Sequence, residues 1–223
     1  MKKSLKKIIF ASAAVITLGA SATVSVNTVN ASTEKSETLD GGWQVNQGSL
    51  SLNKNKRAKA AWDKALDGLV GYSYKPIAYL GSQVVAGTNY SYLCKGSVVM
   101  SKAKSEYFIL NVYEDLKGNA KITGTTNLFK TSSKKNAWKF NQGSYSLNKN
   151  AKVKAAFNKA TKKLAGTYQP VAYVGKRGNN YAIFCATKGK TSKAKRSYKL
   201  VIVNQKSKKS QVKNVDLAVE TKK

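Results

Sequence analysis

Between residues 41 and 128 the hydrophobic pattern changes period. Ala58, Ala61, Trp62, Ala65, Leu66 and Leu69 recur at the three-and-four spacing of one helical face. Lys54, Lys56, Lys59 and Lys64 fill the opposite, solvated face. Asn53 is placed to cap this helix at its start and Gly71 to close it. Pro76 blocks any continuation, and beyond it the period falls to two. The alternation predicts four strands in succession: Ile77–Val85, Tyr90–Met100, Glu106–Tyr113 and Lys121–Leu128. One helix followed by an antiparallel meander is an α+β layer. A single helix cannot cover a flat sheet, so the sheet is expected to curl around it. Trp62 then reads as the anchor between helix and sheet.

The pattern occurs twice. Trp43–Asn55 returns as Trp138–Asn150, and 17 of the 29 positions from Trp43 to Gly71 are identical at an offset of 95. Pro76-Ile-Ala-Tyr-Leu-Gly81 pairs with Pro170-Val-Ala-Tyr-Val-Gly175, and Ser101–Lys104 with Ser192–Lys195. In the second copy Asn148, Val153, Ala156, Phe157, Ala160, Leu164 and Gly166 take the helical roles. Two homologous domains follow, 41–128 and 137–220, joined by a polar linker at 129–136.

The copies differ at the first hairpin. The first has Gly81-Ser-Gln-Val-Val-Ala-Gly-Thr-Asn-Tyr90, with a turn expected over Ala86-Gly87-Thr88-Asn89 and Gly87 supplying a positive φ. The second has Gly175-Lys-Arg-Gly-Asn-Asn-Tyr181, three residues shorter, basic and polar. Gln83-Val84-Val85-Ala86-Gly87 resembles the first hairpin loop of the cystatins, inhibitors of papain-like cysteine proteases. Gly41-Gly42 upstream, then a helix, then a strand into the hairpin, follow the order of that fold. The resemblance covers 41–128 well and 137–220 in outline. It implies two tandem cystatin-like domains, each one helix on a curled antiparallel sheet of four to five strands. It also implies a protease-binding wedge made of Gly41, Gly42, Gln83, Val84, Val85, Ala86, Gly87 and the second hairpin, Leu116, Lys117 and Gly118. Many cystatins carry Pro-Trp in that last hairpin; this chain has Asp115-Leu116-Lys117-Gly118.

Charge changes the picture further. Residues 1–31 read as a signal peptide, with Lys2, Lys3, Lys6 and Lys7 before an apolar run from Ile8 to Ala20 and Val29-Asn30-Ala31 at the cleavage site. No later run is long enough to span a bilayer, so export is expected, and the C-terminus shows no anchor signal. A polar, disordered lead is expected at 32–40. From Ser32 onward, 36 basic residues face ten acidic ones, a net charge of +26. Residues 136–223 carry +19 of this, whereas 41–130 carry +7. A recognition domain followed by a charged tether fits that split. Anionic wall polymers are the nearest partners by charge, with retention at a bacterial cell wall. Nucleic acid is a less favoured partner, since it would need tyrosine platforms among the charges.

The chain has no histidine, which removes the usual nucleophile triads and common zinc sites. Its carboxylates do not cluster apart from Glu114-Asp115, and no phosphate-cradling glycine motif precedes a helix. No enzyme, cofactor or metal is expected. Cys94 and Cys185 sit at equivalent strand positions, one per repeat, and are expected to be buried free thiols. The reading is a secreted cystatin-like inhibitor, with a cationic wall-associated or adhesive binder as the alternative.

Overall fold

Each repeat builds the same antiparallel meander of five strands around one helix. The computed structural model describes residues 41–132, 134–207 and 210–215. Residues 1–31, read from the sequence as a signal peptide, the stretch 32–40 read as a lead, and residues 216–220 of the second repeat lie outside the described residues. In the first repeat the strands are β1 (Gln44–Val45), β2 (Tyr72–Val85), β3 (Gly87–Val98), β4 (Glu106–Glu114) and β5 (Ala120–Asn127). They lie in the order β1-β2-β3-β4-β5, with helix α1 (Lys56–Leu66) between β1 and β2 in the chain. The second repeat repeats this with β6 (Lys139–Phe140), α2 (Ala151–Thr161), β7 (Thr167–Arg177), β8 (Asn180–Lys188), β9 (Ser197–Asn204) and β10 (Ser210–Asn214). The protein is thus α+β.

Several local boundaries differ from those the sequence predicts. A 3-10 turn at Leu52–Lys54 takes the place of the first helical turn, so Asn53 is not the cap. The residue at the helix start is Asn55, and its side chain does not cap either. Its Nδ2 donates backward to the carbonyls of Ser49 (2.8 Å) and Ser51 (2.7 Å), tying down the loop before the helix. Asn150, not Asn148, does the same to Ser144 and Ser146. At the other end α1 stops at Leu66, because Gly68 adopts φ +70° before Gly71 is reached. Leu69 is therefore outside the helix and half exposed, and Leu164 likewise follows the end of α2. Pro76 and Pro170 do not start their strands; each lies four or three residues inside, next to a β-bulge. A second bulge follows between Tyr79 and Gly81, and between Tyr173 and Gly175. Bulges add local bend and twist to each long strand.

Strand alternation then sorts the side chains into layers. Tyr92, Cys94, Phe108, Leu110 and Val112 face α1 and meet Ala58, Ala61 and Trp62. The Trp62 and Tyr92 rings pack edge to face at 5.1 Å, and the Tyr92 hydroxyl donates to the Ala58 carbonyl at 2.7 Å. Phe157 anchors α2 in the same way against Ile183, Cys185, Val201 and Val203. Both cysteines are free and buried on these helix faces, and burial pushes both thiols well above their ordinary pKa.

The opposite faces of the two sheets share one core. Leu80, Leu93 and Ile109 of the first repeat pack with Val174, Phe184 and Leu200 of the second. Phe129, in the stretch read as a linker, packs its ring at a tilt against Trp138 (5.1 Å) and Phe140 (4.9 Å) at its margin. The layers run helix, sheet, sheet, helix, and the described residues fall in one unit, Thr38–Lys223.

Polar contacts across this interface come in matched pairs. The Arg196 amide donates to Gln47 Oε1 (2.7 Å), and the Ser105 amide donates to Gln142 Oε1 (2.8 Å). Gln47 and Gln142 are repeat equivalents, as are Ser105 and Arg196. Each repeat's Asn-Gln-Gly loop is therefore held by the residue just before β4 or β9 of the other, the self-complementary arrangement of a two-fold interface. Arg196 adds Nη1 bonds to the carbonyls of Asn46 and Gly48, at 2.6 and 2.7 Å.

Candidate functional site

Three segments meet at one edge of the first sheet, and each is placed there by its strands. β1 runs beside β2, with Gln44 opposite Ser82 and Val45 opposite Gly81. That carries Gly41 and Gly42 out beyond the sheet, both exposed, alongside Val84. The Gln83 amide donates to the Gly41 carbonyl, and the Asn89 amide donates back to Gln83 Oε1 at 3.1 Å. Gln83 is thus the clasp between the N-terminal segment and the hairpin.

The hairpin itself is tighter than the four-residue turn expected. Val85 pairs with Gly87 and Val84 with Thr88, leaving Ala86 alone at the tip. Thr88 and Asn89 belong to β3. Gly87 stands at φ +124°, a region closed to other residues. Its missing side chain is needed for a second reason. A Cβ there would lie 2.7 Å from the Tyr113 hydroxyl and closer still to the Glu114 carbonyl. Tyr113 uses that space to donate its hydroxyl to the Ala86 carbonyl. Val84 is 56% exposed and Val85 42%, with their side chains unsupported by any core.

Thr88 pairs with Glu114, which brings the β4–β5 turn beside this tip. Asp115 organises the turn: its Oδ1 accepts from the Lys117 and Asn119 amides at 2.9 and 2.8 Å, and Oδ2 from Asn119 Nδ2 at 2.9 Å. Lys64 at the end of α1 donates to the Gly118 carbonyl at 2.7 Å, fixing the turn to the helix. Leu116 then projects 85% exposed, with Lys117 exposed next to it. Tyr90 donates to Glu114 at 3.0 Å, and burial followed by this carboxylate raises its phenol to about 12. Between the start of α1 and the hairpin lies a cavity of about 370 Å³ lined by Arg57, Tyr79, Ser82, Val84 and Tyr90.

All ten residues singled out from the sequence therefore lie along this edge. The supports Tyr113, Lys64 and Asn89 were not evident from the sequence. Only the position of Tyr113 at the end of a predicted strand could have drawn notice. Among the described residues the second repeat has no such edge. Its turn is Gly178-Asn179, with Asn180 held by Asn204 at 3.0 Å and Arg177 over the Trp138 ring at 5.1 Å.

Asp115 provides a pH test of the turn. Its hydrogen bonds, those from Asn119 first, hold its carboxyl below the ordinary value. A lowered folded pKa contributes stability that is present above the unfolded value, about 3.9, and is lost as pH falls through the folded one. Amide-exchange protection at Lys117 and Asn119 should therefore be unchanged from pH 7 to 5 and collapse only below about pH 3.9. Asp115→Ala should show the collapsed protection already at pH 7.

Among the described residues, no group of three or more histidine, cysteine, aspartate or glutamate side chains could hold a metal ion. No described helix is long and apolar enough to cross a membrane. No family model, curated protein or solved structure matches this chain.

Proposed function

We propose that the protein is a secreted, tandem cystatin-like inhibitor whose first repeat enters the cleft of a papain-like cysteine protease. What supports the reading is the convergence of Gly41-Gly42, the Val84-Val85-Ala86 tip and the Leu116 turn on one edge. That edge presents exposed apolar side chains on backbone held by Gln83, Tyr113 and Asp115. Occupying a cleft requires no chemistry from the inhibitor, and prior rigidity reduces the entropy lost on binding. Steady-state assays of residues 38–223 against bacterial and host papain-like proteases test it. Competitive inhibition at or below micromolar concentration is expected; none across the panel removes the reading.

A cationic binder of anionic wall polymers is the second reading. The excess of basic residues supports it, since the one ion pair among the described residues is Lys59–Asp63 at 2.5 Å. Most cations are thus free for an external polyanion. Adsorption to purified walls that weakens steeply with salt is its mark.

A further inference from the structure

At the far end of the β2/β3 ladder from the hairpin tip, the first repeat exposes a second apolar cluster. Val98 opposes Tyr72 there, and the Val99 amide donates to the Gly71 carbonyl at 2.9 Å, bringing two loops together. Val70 on one loop is 93% exposed; Val99 and Met100 on the other are 70% and 69% exposed. Leu69 and Val98 widen the patch. Lys102, at the tip of the second loop, takes φ +60° without being glycine.

Cations adjoin this cluster. Lys75 and Lys95 are direct partners across β2 and β3, a like-charge pair that costs stability, and the Lys95 ammonium donates to the Gly143 carbonyl at 3.1 Å. They line a cavity of about 290 Å³ with Ser73, Ser97, Ser105 and Tyr145. Ser73 and Ser97 also line the depression beneath Val98–Lys102, so the cavity and the apolar loop are contiguous. Lys102 and Lys104 are exposed on that loop. Asp67 and Glu106 are near in the chain and the sheet, but no carboxylate lines either depression. Burial and then Lys75 push the Lys95 ammonium below its ordinary range, a cost that a bound anion would offset. The second repeat keeps the loop lysines, as Lys193 and Lys195, but neither the lysine pair nor the apolar tip. Gln169 and Ala186 replace the lysine pair, and Gly189-Lys190-Thr191 replaces Val98-Val99-Met100.

We infer that this end of the first repeat docks on an anionic phospholipid surface. Leu69, Val70, Val99 and Met100 enter the headgroup region, and Lys75 and Lys95 hold a lipid phosphate in the adjoining cavity. An apolar tip next to a cationic pocket is complementary to such a surface, where apolar burial and charge attraction add. Because this patch is at the opposite end from the hairpin edge, the inference stands apart from the protease reading.

The test is co-sedimentation of residues 38–223 with vesicles of phosphatidylcholine, with and without 30% phosphatidylglycerol, at about 0.15 M salt, where charge alone is partly screened. All three buried clusters lie inside this fragment, so it is the folded unit. Binding to the anionic vesicles alone is expected. Val99→Asp with Met100→Asp should weaken it at least tenfold, as should Lys75→Gln with Lys95→Ala, the residues of the second repeat. Lys190→Gln with Lys193→Gln, an equal charge loss in the other repeat, should change it less than twofold. A polarity-sensitive dye on Ser101→Cys should shift blue only with anionic vesicles, and labelling is selective because both native thiols are buried. Three results would each overturn the inference. They are no anionic-vesicle binding, equal loss in the Lys190/Lys193 control, and stabilisation by inorganic phosphate through Lys75 and Lys95 without vesicle binding.

Discussion

Gly87→Val should abolish protease inhibition and lower the melting temperature, while Gly178→Val changes neither by much. The two glycines look alike in the sequence, each at the turn of the first long hairpin. At Gly87 the backbone is at φ +124° and the space for a Cβ is filled by Tyr113 and the Glu114 carbonyl. Strain and overpacking together should cost about 2–5 kcal/mol. For a unit of this size that is roughly 5–15 °C in melting temperature. At Gly178 φ is +55° and a Cβ would meet nothing within 4 Å, so only a backbone cost of about 1–2 kcal/mol remains. The Ala86 carbonyl would also lose its place under the Tyr113 hydroxyl, and with it the shape of the tip. Parallel melting curves and inhibition assays of both variants check this. Equal effects of the two changes would end the account of the first hairpin.

Phe184→Ala should destabilise both repeats together. Phe184 is fully buried in the second repeat, stacked on Tyr198 at 5.6 Å, in the core shared with Leu80, Leu93 and Ile109 of the first. Removing its ring should cost about 3–5 kcal/mol. Because the sheets share that core, one unfolding transition is expected for residues 38–223, shifted as a whole in the variant. Residues 38–136 alone would expose the first sheet's half of the core and should not persist as a folded monomer. Calorimetry that resolves two transitions, with only one displaced by Phe184→Ala, would show the cores to be independent.

Much of this was legible from periodicity. The helix faces, the strand order and the duplication follow from spacing, because a buried face repeats at 3.6 or 2 positions whatever it packs against. The same logic hid the shared core. Leu93, Tyr107 and Ile109 alternate with Tyr92, Phe108 and Leu110, so β3 and β4 are apolar on both faces. That marks strands covered on both sides, but the sequence does not say by what. Boundaries failed where a local competitor acted. Asn55 tied down its own preceding loop, Gly68 ended the helix before Gly71, and bulges beside Pro76 and Pro170 kept the proline inside a strand. At the candidate edge the loop residues stood out by type, whereas Tyr113 and Lys64 support it through contacts 27 and 54 residues away along the chain.

If the first repeat's edge fills a protease cleft, inhibition depends on the side chains exposed at the hairpin tip. Val84→Asp with Val85→Asp changes two exposed side chains and leaves Gly87, Tyr113 and the ladder intact. The inhibition constant of this variant and of the unaltered unit would be measured against the most sensitive papain-like protease, with melting temperatures taken alongside. A loss of at least a hundredfold in inhibition, about 2.7 kcal/mol, with an unchanged melting temperature is expected. Undiminished inhibition by the double variant would contradict the cleft-filling reading.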